Sequence, residues 1–146
     1  MNCLTVCQPW GAGIMHGDKE HENRGWYTKV RGALLIHVGL SDKWMTPQAV
    51  ALCSERCTRE QMAVRGSIIG VANLVDVVSA ADALLTATAA QSKFICGPWC
   101  FVLRDRRAFP APIPYRGQQG FFEVPDSVVR GQLDAVGFVP MSRAGA

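Results

Sequence analysis

The stretch Ser67-Ile68-Ile69-Gly70-Val71-Ala72-Asn73-Leu74-Val75-Asp76-Val77-Val78 decides the fold class. Its β-branched residues favour a long strand, and Gly70 marks a place where that strand can bulge. Upstream, residues 32–38 (Gly-Ala-Leu-Leu-Ile-His-Val) form an apolar run long enough for a buried strand, and residues 2–7 (Asn-Cys-Leu-Thr-Val-Cys) read as a shorter one. Downstream, Trp99–Leu103 and Phe121–Val124 supply two more. Between these last two, Pro110, Pro112, Pro114 and Tyr115-Arg116-Gly117 read as an irregular stretch.

Helical signals of unequal length separate the strands. Pro9 can occupy the first turn of a short helix that Gly17 stops. Thr46-Pro47 opens a second helical unit, with Val50, Cys53 and Cys57 at helical spacing and Arg65-Gly66 as its end. Residues 79–90 are Ala-rich with Ser79 as cap, and Pro125-Asp126 opens a last helix over about 125–137, followed by a short tail, 138–146. The regular βαβ rhythm is missing. The pattern predicts an α+β fold, a small curved sheet or barrel with helices packed around it.

The 146 residues suit one domain, since a chain of this length buries roughly 70% of its unfolded surface. Hydrophobic content of 49% with 18% charged residues excludes a disordered chain. A net charge of +3 is compatible with a nucleic-acid partner without requiring one. No apolar segment long enough for a membrane span or an export signal is visible, because Gln8, Pro9, Trp10 and two glycines interrupt the uncharged start. A cytoplasmic protein with reduced thiols is the expectation. The six cysteines fall into three Cys-x-x-x-Cys pairs, at 3/7, 53/57 and 96/100. Residues 3 and 7 of one strand would stand about 13 Å apart, too far for a shared metal or disulfide. Core thiols are therefore expected, with no metal and no cofactor.

The densest polar cluster is Gly17-Asp18-Lys19-Glu20-His21-Glu22-Asn23-Arg24. On composition alone it is a solvated turn. Its setting says more, because Gln8-Pro9-Trp10 precedes it by one short helix and Arg31-Gly32 follows just before the buried strand. With these residues the chain resembles the ASCH domain family, a branch of the PUA-like superfamily of RNA-associated β-barrels. The resemblance is carried by Gln8-Pro9-Trp10, Gly17-x-Lys19-x-x-Glu22-x-Arg24, Arg31-Gly32-x-Leu34-Leu35-Ile36-His37, Gly70-Val71-Ala72-x-Leu74-Val75-Asp76, Gly97-Pro98-Trp99-Cys100-Phe101-Val102-Leu103 and Gly117-x-Gln119-Gly120. It spans roughly residues 2–124.

The resemblance implies a small PUA-like barrel with a cleft beside the first helix, lined by the Gly-x-Lys-x-x-Glu-x-Arg stretch, and RNA or a modified nucleoside as its partner. The residue types suit such a ligand. Gln8 and Asn23 each offer a paired donor and acceptor for a base edge. Trp10 and Trp99 offer stacking faces, although both suit the core as well. Arg24 and Arg31 can fork onto phosphate or onto an acidic partner. A protein partner in place of nucleic acid is a third possibility.

The resemblance also implies an enzymatic alternative. Some small ASCH proteins remove the acetyl group from N4-acetylcytidine with a Lys, a Thr three residues later and a Glu from a later strand. Lys19 stands at the lysine position, but Glu22 replaces the threonine, and a carboxylate cannot supply that hydroxyl. Asp76 on the 67–78 strand is the candidate acidic partner. Glu20 and Glu22 favour a charged Lys19, which suits it to holding an oxyanion or phosphate. Another branch is linked to metal-dependent ribonuclease activity, for which Asp18, Glu20, His21 and Glu22 would be the oxygen- and nitrogen-bearing candidates. Arg104, Arg106, Arg107 and Arg116 concentrate positive charge that can track phosphates. Geometry imposes one condition. Residues 19 and 22 of a regular strand face opposite ways, so they share a cleft only if Lys19 lies on the turn after the first helix or a bulge intervenes.

Overall fold

The computed structural model describes residues 1–140. Strands β1 (Asn2–Val6), β2 (His21–Arg24), β3 (Gly32–Val38), β4 (Ser67–Ser79), β5 (Trp99–Pro114) and β6 (Phe121–Glu123) form one sheet in the order β2-β5-β4-β3-β1-β6. Only β1 and β3 run parallel; every other pairing is antiparallel. The sheet curls into a half-barrel with helices around it, the expected α+β architecture. Its edge strands β2 and β6 do not pair with each other. An aromatic contact spans the gap instead. Trp26, just past β2, meets Phe101 of β5 and Phe121 of β6 edge-on at 5.2 and 5.3 Å between centroids.

Period-two alternation sorts the side chains. Leu4, Val6, Leu34, Ile36 and Val38 turn to one face, where Ile14 and Met15 of α1 (Trp10–His16) pack on them. Cys3 and Leu35 turn to the other face and meet Val129 of α6 (Asp126–Val136). Gly70 is where α1 comes closest to the sheet. A Cβ there would lie 2.0 Å from Met15 Sδ and 2.6 Å from the Arg107 carbonyl, and the β4–β5 register shifts beside it.

The Thr46-Pro47 start is confirmed, with Thr46 capping α2 (Pro47–Cys53), but the unit does not run on to Arg65. Thr58 and Gln61 form a reciprocal capping box that opens a separate helix, α3 (Arg59–Ala63). The 79–90 helix is likewise two pieces. Ser79 caps α4 (Ala80–Thr86) and Thr88 caps α5 (Ala89–Ser92). The last helix ends at Gly137 in the left-handed conformation; of the predicted tail, 141–146 lies outside the described residues. The stretch read as irregular is strand: β5 continues through Pro110 and Pro112 to Pro114.

Burial pushes His16, His21 and His37 below the usual imidazole range, so the folded chain resists protonating all three. Depressed folded values mean that this contribution to stability is complete above about pH 6.5. It is lost as pH falls through the folded values. Urea unfolding at pH 7.5 and 5.5 is expected to give the lower midpoint at pH 5.5; an unchanged or higher midpoint there would contradict this account.

Candidate functional site

Lys19 lies on the turn between α1 and β2, the first of the two arrangements that allow a shared cleft. That turn folds back on the helix end. The backbone N–H groups of Gly17 and Lys19 both donate to the Gly13 carbonyl at 3.1 Å. The last carbonyls of a helix lack partners within it. Arg106 of β5 answers three carbonyls here, donating from Nη1 to Ile14, Gly17 and Lys19 at 2.8, 3.0 and 3.1 Å. The turn is therefore clamped by helix, sheet and guanidinium together.

The clamp directs the Lys19 side chain inward, where it is 1% exposed. Its ammonium donates to the His21 carbonyl and stands 3.9 Å from Glu22 Oε1. The Trp10 ring lies beneath it, 5.7 Å from Nζ to the centroid. Glu22 and Arg24, two apart on β2, share one side of that strand. Arg24 Nη2 donates to the Thr5 carbonyl at 2.6 Å. Glu22 Oε2 and Arg24 Nε are buried with no hydrogen-bond partner among the described residues.

These groups line a hollow of about 200 Å³ together with Trp10, Asn23 and Trp44. Lys19, Glu22 and Arg24 are thus brought to one place, with Trp10 beside them. Asn23 also borders the hollow, but its amide already holds the chain. Its Nδ2 donates to the Phe94 carbonyl at 2.8 Å and its Oδ1 accepts from Cys96 N–H at 2.9 Å.

The other sequence candidates lie elsewhere. Gln8 is fully buried and structural. Its Nε2 donates to the Gln61 and Val64 carbonyls, and its Oε1 accepts from Ala12 N–H. Trp99 packs against the main core and meets Tyr27 edge-on at 5.0 Å. Arg31 bonds the Thr28 and Val30 carbonyls and stands 3.6 Å from Asp76, and neither residue lines the hollow. Asp76 is thereby removed from the Lys19 pair.

The acidic cluster does not converge either. Asp18 pairs with Arg56 at 2.9 Å and Glu20 with Arg104 at 3.2 Å, while Glu22 turns to Lys19. Among the described residues no three His, Cys, Asp or Glu side chains come together as a metal ion would require. The expected basic surface is also dispersed. Arg104 faces Glu20, Arg106 caps the α1 turn, and Arg107 binds Asp105 and the Val136 carbonyl. Burial pushes the thiols of Cys3 and Cys53 up to about 12 and about 11, which leaves them unreactive core groups.

Trp44 was not among the sequence candidates. It is 46% exposed on the loop before Thr46, yet it borders the hollow, with Lys43 Nζ 5.6 Å from its ring centroid. The one available signal was a tryptophan outside every apolar run, in a segment with no core period.

A half-barrel of this topology matches a known class. The ASCH domain family model matches residues 4–119, and the chain belongs to that family. Among solved structures, the ASCH protein of Zymomonas mobilis is similar in fold, as the unmutated protein and as two point variants. Each is 15% identical, with TM-scores of 0.51 to 0.52, covering 91–92% of this chain and 94–96% of its own. At that identity the likeness speaks for the fold. No curated protein matches the chain. Among the described residues no helix is long and apolar enough to cross a membrane.

Proposed function

We propose that the hollow between α1 and β2 binds a nucleobase, presented by RNA or by a modified nucleoside. The observation that carries the reading is the buried Lys19–Glu22 pair, which has one carboxylate oxygen without a partner among the described residues. A buried ion pair with open hydrogen-bonding capacity contributes little to stability, so its chemistry is better matched to a ligand. An ammonium donor beside a carboxylate acceptor complements a base edge that pairs an acceptor with an amino donor, as cytosine does. Trp10 and Trp44 offer aromatic faces for the ring. The hollow's 200 Å³ is below the roughly 300–1,000 Å³ of sites for drug-sized ligands, which suits a single base.

Hydrolysis of an acylated base is the alternative use of the same pair. The threonine hydroxyl of the N4-acetylcytidine chemistry is replaced by Glu22, and Asp76 stands apart with Arg31. Binding is accordingly the favoured reading.

Calorimetric titration with cytidine, N4-acetylcytidine, uridine and adenosine, alongside a short single-stranded RNA at low salt, tests it. Cytidine-type bases are expected to bind in preference to uridine. Trp44→Ala is expected to weaken binding by ~1–3 kcal/mol, about 5- to 150-fold. Release of acetate from N4-acetylcytidine, abolished by Lys19→Met, would replace the binder with an enzyme. No heat with any of these ligands would sink both.

A further inference from the structure

Thr5 also lines a second cavity, about 630 Å³, together with His37, Leu40, Arg116, Gln118 and Gln119. We propose that this groove holds the nucleotide adjoining the base in the Lys19–Glu22 hollow, so that the ligand is a phosphodiester-linked strand and not a free nucleoside. The inference rests on the base-binding reading of the first hollow.

Three observations support it. The two cavities share one lining residue. Thr5 borders both, and its carbonyl is the group to which Arg24 of the first hollow donates. A strand with one base in the hollow can therefore place its next unit at this groove.

Next, the floor of the groove is built and rigid. His37 Nε2 stands 2.6 Å from the Tyr115 carbonyl, so that nitrogen must carry the proton. Nδ1 is then an acceptor, and the Thr5 hydroxyl donates to it at 3.1 Å. Burial keeps the ring neutral by lowering its proton affinity, consistent with this arrangement. Both ring nitrogens are thereby occupied, and His37 acts as a positioning residue for the 115–119 loop. Gly117 seats the loop on this pair. A Cβ there would come within 2.7 Å of His37 Cε1 and 2.8 Å of Thr5 Oγ1, which only glycine avoids.

Finally, the pinned loop presents the right chemistry. Arg116 and the two glutamine amides are exposed, and the Arg116 guanidinium has no hydrogen bond or ion pair among the described residues. The other three arginines of the expected basic cluster are held by carboxylates or carbonyls. An available guanidinium favours a phosphate, and Leu40, 79% exposed, gives a sugar or base an apolar surface.

The test titrates the full chain with cytidine and with the two dinucleoside monophosphates that extend cytidine on its 5′ or its 3′ side. One dinucleotide is expected to bind at least tenfold more tightly than cytidine. Arg116→Ala, a change at an exposed position, should remove most of that gain, leave the cytidine affinity unchanged and reduce the salt slope by about one. A dinucleotide no tighter than cytidine, or a gain that survives Arg116→Ala, overturns the inference while leaving the hollow intact. Arg116-dependent binding of a dinucleotide without any binding of cytidine would retire the hollow as a nucleoside site and keep the groove. No binding of either ligand overturns both.

Discussion

Replacing Lys19 by methionine is expected to lower the unfolding free energy by about 3–5 kcal/mol, the usual cost of leaving one member of a buried pair uncompensated. The reason is Glu22. Glu22 is 6% exposed, and one of its oxygens faces Lys19 Nζ at 3.9 Å while the other has no partner among the described residues. Methionine fills the volume of the stem next to Trp10 but leaves that charge buried without compensation. The double variant Lys19→Met/Glu22→Leu is expected to recover most of the loss, because an apolar pair of similar volume removes both desolvated charges. Urea or thermal unfolding of the four proteins of this cycle measures it. A single Lys19→Met variant as stable as the parent protein would show that the pair is not buried as described. If the double variant were no better than the single one, the cost would lie in packing and not in charge.

Gln8→Ala is expected to have the second largest effect, a loss of about 3 kcal/mol, with nucleoside affinity unaltered in the folded fraction. The side chain is fully buried and makes three hydrogen bonds, two donated to the carbonyls of Gln61 and Val64 and one accepted from Ala12 N–H. Alanine removes these bonds from the Ala12 N–H and the Gln61 carbonyl, while the Val64 carbonyl keeps Arg65 Nη1 as a donor, and each buried group left unsatisfied costs about 1–3 kcal/mol. Gln8 ties the start of α1 to α3 and to Val64 and does not line the hollow, so the loss falls on folding and not on the site. Equilibrium unfolding combined with a ligand titration checks both parts. A stable Gln8→Ala protein with impaired binding would return Gln8 to the ligand.

Most strands and helix starts are legible because each depends on a local signal, whereas β2 lies in the charged segment whose composition reads as a solvated turn. The β-branched run 67–78, the Thr46-Pro47 cap and the stop at Gly137 each act over a few residues. The extent of β5 was hidden. Prolines normally exclude a paired strand, but here Pro110 and Pro112 fall in a register break where β5 advances from Ala108 to Ile113 while β4 advances only from Gly70 to Ile68. Their missing N–H groups interrupt no ladder. The two split helices were hidden for a different reason. Cys57 continues a helical period that Thr58 ends with a capping box, and the periodicity outweighed the cap.

The candidate site divides along similar lines. Lys19, Glu22 and Arg24 come from one short segment, so their convergence depended only on where the turn ended and the strand began. Gln8, Trp99, Arg31 and Asp76 come from separate motifs of the resemblance, and tertiary contacts decide where each is used. Trp44 arrives from a loop distant in sequence, and no local pattern connects it to residue 19. The arginine cluster shows the same limit. Arg104, Arg106 and Arg107 are neighbours in sequence, but the surrounding fold directs them to three separate anchors.

The central claim is that the Lys19–Glu22 pair serves a ligand and does not serve the fold. Calorimetric titration of the Lys19→Met/Glu22→Leu protein with the tightest-binding nucleoside of the panel tests it most directly. The account predicts a folded protein that gives no binding heat. A folded double variant that bound with the parent's affinity would contradict it.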